Sequence, residues 1–174
     1  MRFEYNVVTF VASLQERWAR EPQWPTALLL LNPKRLAFMN QQCGVATTKR
    51  VLADVEKCML YIAPDAPATR AGAGRYALIL ADEHALRREE ISLRLRDEVA
   101  AVLRPHETQA MRDFASEVAL VTSRRTEQYD DTRPVLGVAV VTVLCRPEMK
   151  LSAKDVFEAA QCRADAADNE VVPL

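Results

Sequence analysis

The sequence predicts an α+β domain in which a mainly antiparallel central sheet is flanked by helices. Apolar runs of strand length occur at residues 26–31, 76–81 and 134–144, and stretches with helical periodicity lie between and around them. The chain has 174 residues, of which 49% are apolar and 27% charged, and this is enough for one globular domain with a substantial core. We therefore expect a single domain over residues 1–174.

The first part of the chain predicts a helix, a strand and two further helices. An apolar stripe indicates a leading helix over residues 7–18, and Pro22 and Pro25 end it in a turn, so residues 1–25 form a leading helix and turn. Residues 26–31 follow as a buried strand. Asn32 and Pro33 are typical of the cap and first residue of a short helix. A second helix begins near Thr47 or Thr48 and ends before residues 63–67. Its predicted buried face consists of Val51, Leu52, Val55, Cys58 and Met59.

The rest of the chain predicts further strands and two long helices. Residues 76–81 form a strand that is entered through a turn at 72–75, and a charged helix follows over residues 82–103 with i,i+4 pairs of opposite sign. A helix at 106–116, a strand at 118–122 and a loop at 126–132 come next. Residues 134–144 form a buried strand around Gly137. Ser152 caps a last helix that buries Val156, Phe157, Ala160 and Ala164, and Val171 and Val172 add a short edge strand.

Composition excludes several classes of protein. A net charge of −1 argues against a nucleic-acid binder, and the apolar run at residues 27–31 is too short to cross a bilayer. The N-terminal residues do not resemble a signal peptide, so we expect a cytoplasmic protein. The four cysteines form no CxxC pair and are expected to be reduced, packed thiols, and the two histidines show no ligand spacing. We expect no metal site and no cofactor.

The chain has only four glycines, and their spacing matches that of a known enzyme family. Residues 28–40 (LLLLNPKRLAFMN) are followed by Gly44, residues 70–80 read RAGAGRYALIL, and residues 135–139 read VLGVA. These segments resemble, in order, the strand with the "IN" pair, the R-x-GGDEF hairpin and the "SIGVA" strand of the GGDEF domain, the catalytic module of bacterial diguanylate cyclases. The resemblance covers about residues 7–172. It implies a palm-like, ferredoxin-type core and makes residues 105–133 an insertion relative to the family.

The residues that would do the chemistry of this family are replaced. The resemblance implies metal-binding carboxylates at the end of the first strand and in the signature hairpin, because condensing GTP requires a divalent cation. Here these positions hold Asn32, Gly74 and Arg75. Asn40 is retained where the family contacts a guanine edge, but Lys49 replaces the partner aspartate. Asp168 replaces a phosphate-binding lysine. We therefore assign no catalytic residue. A vestigial nucleotide pocket would consist of Asn32, Asn40, Lys49, Gly72, Gly74 and Arg75.

The product-inhibition motif of the family, RxxD, is also absent. The matching residues 63–66 contain no arginine, and Asp65 is one position out of register. A rebuilt site would have Arg70 and Arg75 as its nearest cations.

Simpler structural interpretations compete with the functional ones. Asn40 would brace a helix end, and Arg75 would be an exposed turn residue. Lys34, Arg35, Lys49 and Arg50 form either an anion-attracting rim or solvated helix ends. Trp18 and Trp24 are expected in core or rim packing, with an exposed Trp24 indicating a partner surface. Arg124 and Arg125 are expected in a solvated loop.

The sequence thus predicts a non-catalytic GGDEF-like regulatory or scaffold module that acts by protein–protein contact, with itself or with another protein. The resemblance places such modules in bacterial control of exopolysaccharide secretion, biofilm formation or motility. One alternative is a cyclic di-GMP or GTP sensor with a rebuilt pocket. Another is a divergent palm-type nucleotidyl cyclase or transferase that uses Asp54, Asp82 and Glu83, and a third is an unrelated ferredoxin-like protein. We expect the protein neither to bind nucleic acid nor to insert into a membrane.

Overall fold

The computed structural model describes residues 3–4, 6–20, 25–72, 74–114, 135–146, 148–168 and 170–174. The helices are α1 (Val7–Arg20), α2 (Leu36–Cys43), α3 (Val45–Ile62), α4 (Asp82–Leu86), α5 (Arg88–Leu103) and α6 (Ala153–Ala166). The strands are β1 (Phe3–Glu4), β2 (Thr26–Pro33), β3 (Ala68–Arg70), β4 (Tyr76–Ala81), β5 (Val138–Cys145) and β6 (Val171–Pro173).

The strands form one six-stranded sheet in the order β1-β3-β4-β2-β5-β6. Strand β2 pairs antiparallel with both β4 and β5, and β3 pairs antiparallel with β4, whereas the outer pairs β1–β3 and β5–β6 are parallel. The fold class predicted from the sequence, a mainly antiparallel sheet flanked by helices, is confirmed.

Both faces of the sheet are covered, which explains why β2 is buried along its whole length. Side chains alternate between the faces of a strand. Ala27, Leu29 and Leu31 therefore pack in a core with α3 and α5, while Leu28 and Leu30 pack in a second core with α1 and α6. This explains an uninterrupted apolar run where an exposed sheet would show alternation.

The predicted helix start at Asn32 and Pro33 is wrong, because both residues continue β2 and pair with Ala139 and Val138 of β5. Proline is tolerated at position 33 because no hydrogen bond is lost there. The Lys34 amide donates to Gly137 O towards β5, so the Pro33 nitrogen faces the opposite side, towards β4. The pairing of β2 with β4 ends at Leu31, and a backbone N–H at position 33 would therefore have no partner on that side. Helix α2 begins only at Leu36, after a turn through Arg35.

Two other helix boundaries also differ from the prediction. Helix α3 begins at Val45, directly after Gly44, and the hydroxyl of Thr48 bonds back to Gly44 O within the helix instead of capping it. The charged helix predicted over residues 82–103 is divided at Arg87 into α4 and α5. Its described ion pairs, such as Arg87–Glu90 and Arg96–Asp97, join residues three or one apart and not four.

Other predicted elements are confirmed. Helix α1, strand β4 and the edge strand β6 lie where expected, and Ser152 caps α6. Strand β5 begins at Val138, later than predicted. At the start of the predicted insertion, residues 104–106 form a 3-10 turn, and the helix predicted at 106–116 is present over 109–114 of the described residues. The predicted strand at 118–122, the loop at 126–132, Arg124 and Arg125 lie outside the described residues.

The packing predicted for Trp18 is confirmed, and the packing predicted for the cysteines holds for only part of them. Trp18 is buried and donates its Nε1–H to Arg146 O at 3.1 Å, while Trp24 lies outside the described residues. All four cysteines are free thiols. Cys145 is buried, and burial raises the pKa of its thiol to about 11. Cys162, on α6, is exposed and not packed as predicted.

Candidate functional site

Part of the predicted pocket, the end of β2 and the turn before β4, lies against the last turn of α6. Asn32, near the end of β2, is 8% exposed. Its side-chain amide donates to Ala164 O at 3.2 Å and to the Asp165 carboxylate at 3.1 Å. The last carbonyls of a helix have no partner within the helix, so Asn32 satisfies the end of α6.

Lys34 reaches the same helix end. Its Nζ donates to Ala164 O and, at 3.2 Å, to Asp165 O. Partial burial lowers the pKa of the Lys34 ammonium, and the nearby carboxylates of Asp165 and Asp168 oppose that shift. A cation at the C-terminal end of a helix is also favoured by the helix dipole. Lys34 is therefore held by a helix end and is not a solvated residue of its own helix.

Arg75 completes the contact from the hairpin side. Its Nη1 donates to both oxygens of Asp165, at 2.9 and 3.2 Å, and its side chain is only 24% exposed. The turn that presents it is closed by the Arg75 amide, which donates to Gly72 O at 2.8 Å. The interpretation of Arg75 as an exposed turn residue is therefore wrong.

Arg35 joins the site to the start of the late strands. Its backbone is left-handed, with φ of 59°, and this reverses the chain between β2 and α2. Its Nη1 donates to Val135 O at 2.7 Å, and its Nη2 lies 3.6 Å from the carboxylate of Asp168. Asp168, which the sequence resemblance matches to a phosphate-binding lysine, is thus the partner of a cation here.

Any side chain at Gly74, where the resemblance implies an acidic residue, would require Leu36 to move. Its φ is 82°, and a β-carbon at this position would overlap Cδ1 of Leu36. Leu52 Cδ2 would lie 3.8 Å away. Leu36 therefore occupies the place where a β-carbon of residue 74 would lie.

Asn40, which was predicted to contact a base, and the rim residues Lys49 and Arg50 are not part of this network. The side chain of Asn40 is half-buried and makes no hydrogen bond to any other residue that the structure describes, and its main-chain oxygen accepts from the Gly44 amide. Lys49 and Arg50 are exposed on α3. Of the six predicted pocket residues, the structure joins Asn32 and Arg75 through Asp165. It places Gly72 and Gly74 in the Arg75 turn, and it links neither Asn40 nor Lys49 to them.

The roles of Asp165, Ala164 and Leu36 at this site were not predicted from the sequence. Asp165 lies 133 positions from Asn32 and 90 from Arg75, and no short motif relates such residues. The only signal in the sequence for this contact was that Gly74 and Arg75 stand where the resemblance implies acidic residues.

These donors do not fit the divalent metal that the family resemblance implies. Hard cations prefer several carboxylate oxygens, whereas Asn32 presents its N–H groups to Asp165 and the adjacent cations are Lys34 and Arg75. Within the described part of the chain, no three His, Cys, Asp or Glu side chains are grouped as a metal site.

The alternative acidic residues lie elsewhere. Asp82 and Glu83 begin α4, directly after the far end of β4, and β4 spans residues 76–81 between them and Arg75. At about 3.3 Å per residue, this length of strand separates them from the site by roughly 20 Å. Asp54 is paired with Lys57 at 2.7 Å.

A cleft of 230 Å³ lies at the place of the missing product-inhibition motif. Its lining includes residues 63–67 together with Asp82, His84 and Arg17. Arg17 was not predicted there. The cations predicted to serve a rebuilt site, Arg70 and Arg75, are instead paired with Glu56 and Asp165.

No protein-family model matches the sequence, and no curated protein matches it significantly. Solved structures do match. The GGDEF domain of DgcB from Caulobacter crescentus, in complex with c-di-GMP, is 20% identical with a TM-score of 0.61, over 95% of this chain and 88% of that chain. The active GGEEF domain of a diguanylate cyclase from Vibrio cholerae is 11% identical with a TM-score of 0.65, over 97% and 96%.

A third similar structure is the diguanylate cyclase SiaD from Pseudomonas aeruginosa, in complex with its activator SiaC. It is 16% identical with a TM-score of 0.63, over 97% of this chain and 56% of that chain. At these identities the likeness shows the fold: the chain has the GGDEF-like fold that its sequence resemblance predicted. None of the described helices has the length and hydropathy needed to span a bilayer.

Proposed function

We propose that this GGDEF-like domain is non-catalytic and acts as a regulatory or scaffold module through protein contact. The observation that carries the proposal is the bonding of Asn32, Lys34 and Arg75 to the last turn of α6. The atoms that would have to face a metal and a triphosphate are engaged within the protein.

Charge and space both oppose the ancestral reaction. A divalent cation near Asn32 would meet Lys34 and Arg75, and two charges 4 Å apart interact by about 4 kcal/mol in a partly buried site. The volume beside Gly74 is filled by Leu36. Lys49 stands where the resemblance implies a base-recognising aspartate, which disfavours guanine as well.

Protein contact is the function that we infer in place of catalysis. The matched SiaD is in complex with an activator protein, so a domain of this fold is compatible with a protein partner. This chain exposes large apolar side chains that include Tyr61, at 74%, and Leu86, at 65%. By resemblance, the process would be bacterial signalling in the control of exopolysaccharide, biofilm formation or motility, in the cytoplasm.

The first prediction is that the purified protein makes no cyclic di-GMP from GTP with Mg²⁺ or Mn²⁺. An active diguanylate cyclase serves as the positive control, and chromatography measures the product. We expect the triple variant Asn32→Asp, Gly74→Asp, Arg75→Glu to be inactive too, because Lys49, Asp168 and Leu36 still oppose the substrate. Product above the no-protein control, from the wild-type protein, would overturn the proposal.

Calorimetry separates the module from the sensor alternative. For a scaffold, GTP and cyclic di-GMP bind no more tightly than millimolar, a free energy of about −4 kcal/mol. Low-micromolar binding that is lost in Asn40→Ala or Arg75→Ala would instead establish a nucleotide sensor. Lys57→Ala, an exposed substitution on α3, is the matched control and should leave any binding unchanged.

A further inference from the structure

Lys34, Arg35 and Arg75 form a cationic cluster whose carboxylate partners in the described residues come from one short segment. Asp165 lies in the last turn of α6, and Asp168 lies between α6 and β6. Asp165 bonds Arg75, and Asp168 lies beside Arg35. Both carboxylates also act on the pKa of Lys34, as do the two arginines, so the five groups belong to one electrostatic cluster.

The two carboxylates accept hydrogen bonds from only some of the N–H donors of the cationic cluster. Lys34 binds main-chain carbonyls, and Arg75 reaches Asp165 through Nη1 alone among the described residues. A guanidinium has further N–H donors in a planar fork. Both aspartate side chains are also open to solvent, since they are 55% and 66% exposed. Ion pairs at such exposure contribute little to stability.

We propose that Asp165 and Asp168 are a built-in occupant of a cationic site made by Lys34, Arg35 and Arg75, and that they compete with an external phosphate-type anion. The chemical class of the ligand follows from the donors: two guanidinium groups and an ammonium favour the oxygens of a phosphate, without a metal. The contact is autoinhibitory, because the anion site opens only when the carboxylates rotate away. This inference rests on the proposed function, in which the site no longer holds a metal-bound nucleotide.

The test measures binding of inorganic pyrophosphate by calorimetry, without divalent cations and at low ionic strength. The variant Asp165→Asn, Asp168→Asn should bind pyrophosphate at least about tenfold more tightly than the wild-type protein, because three cations then lack carboxylate partners. Adding Arg75→Gln should abolish the gain.

The matched control is Asp54→Asn, Asp97→Asn, which removes the same charge from two ion-paired surface aspartates on α3 and α5. No gain is expected there. An equal gain in the control would overturn the proposal, because it would show a general effect of net charge. A folded Asp165→Asn, Asp168→Asn variant with wild-type affinity would also overturn it.

If the double variant does not fold, Asp168→Asn decides the question, because the exposed Asp168 contributes little to folding. A gain of about twofold or more supports the competition, and an unchanged affinity overturns it. The assay contains neither GTP nor metal. Its failure is therefore distinguishable from failure of the proposed function, which is decided by product formation alone.

Discussion

Asn32 illustrates how one side chain changes what the end of a strand can bind. An amide donates hydrogen bonds, whereas an ionised carboxylate only accepts them. Because Asn32 donates to Ala164 O and to the Asp165 carboxylate, it holds groups that a carboxylate at the same position would repel. The change of residue was visible in the sequence. Its partner was not, since the two are brought together only by the packing of α6 on the sheet.

Alanine substitutions at Gly72 and Gly74 distinguish the cost of backbone strain from the cost of a steric overlap. Both have positive φ, 82° and 79°, but a β-carbon meets Leu36 only at Gly74 and nothing at Gly72. We expect Gly72→Ala to cost roughly 1–2 kcal/mol of unfolding free energy from the left-handed backbone. Gly74→Ala should cost about 1 kcal/mol more, because Leu36 must move.

Urea unfolding followed by circular dichroism measures this difference. Leu36→Ala in the Gly74→Ala background is the control, since it removes the overlapping side chain and should narrow the gap between the two glycine variants. Equal costs for Gly72→Ala and Gly74→Ala would show that the space beside Gly74 is open to a side chain.

At the scale of the element, α6 shows which parts of the structure are local. Ser152 and Asp155 lie three residues apart and form a capping box, in which each side chain bonds the amide of the other residue. Such a signal depends on neighbours in sequence, so the helix start was predicted correctly. The start of α2 was not, because Asn32 and Pro33 carry the same cap signal but are held in β2 by pairing with β5. Tertiary pairing overrides local preference there.

The capping box gives a prediction for stability against pH. Hydrogen bonds from Ser152 lower the pKa of Asp155 below 3.8. A carboxyl group with a lowered folded-state pKa stabilises the protein fully above its unfolded-state value and loses that contribution as pH falls through the folded-state value. Asp155→Asn should therefore destabilise the protein at neutral pH, and its deficit should shrink below pH 3.8.

Thermal unfolding of wild type and variant at neutral pH and near pH 3 measures this difference. Ser152→Ala, which removes the cap oxygen itself, should cost about 1 kcal/mol at neutral pH. Glu158→Gln changes an exposed carboxylate on the same helix and should have little effect at either pH. A deficit of Asp155→Asn that persists unchanged in acid would contradict the capping contribution.

At the scale of the molecule, the central sheet contributes one face to each of two hydrophobic cores. The sequence predicted this arrangement from the apolar run in β2, because a strand covered on both faces has no polar side. What it did not predict is how the ends of the layers are joined. The last turn of α6 is bound to the end of β2 and to the Arg75 turn, which lie at the ends of two inner strands of the sheet. Such contacts between residues far apart in sequence follow from the assembled fold alone.

The sequence-based expectation of a single domain predicts cooperative unfolding. Leu30 and Leu31 are both fully buried and point to opposite cores. Truncating either to alanine should cost about 2–5 kcal/mol, and because β2 belongs to both cores, each variant should weaken both sides of the sheet. Hydrogen exchange, read by mass spectrometry on α3 and on α6, should show protection falling together in Leu30→Ala and in Leu31→Ala. Leu86→Ala, 65% exposed, is the control and should change the protection of either helix little.

If Leu30→Ala reduced protection in α6 alone while α3 kept wild-type values, the two layers would be separate folding units and the single-domain prediction would be wrong.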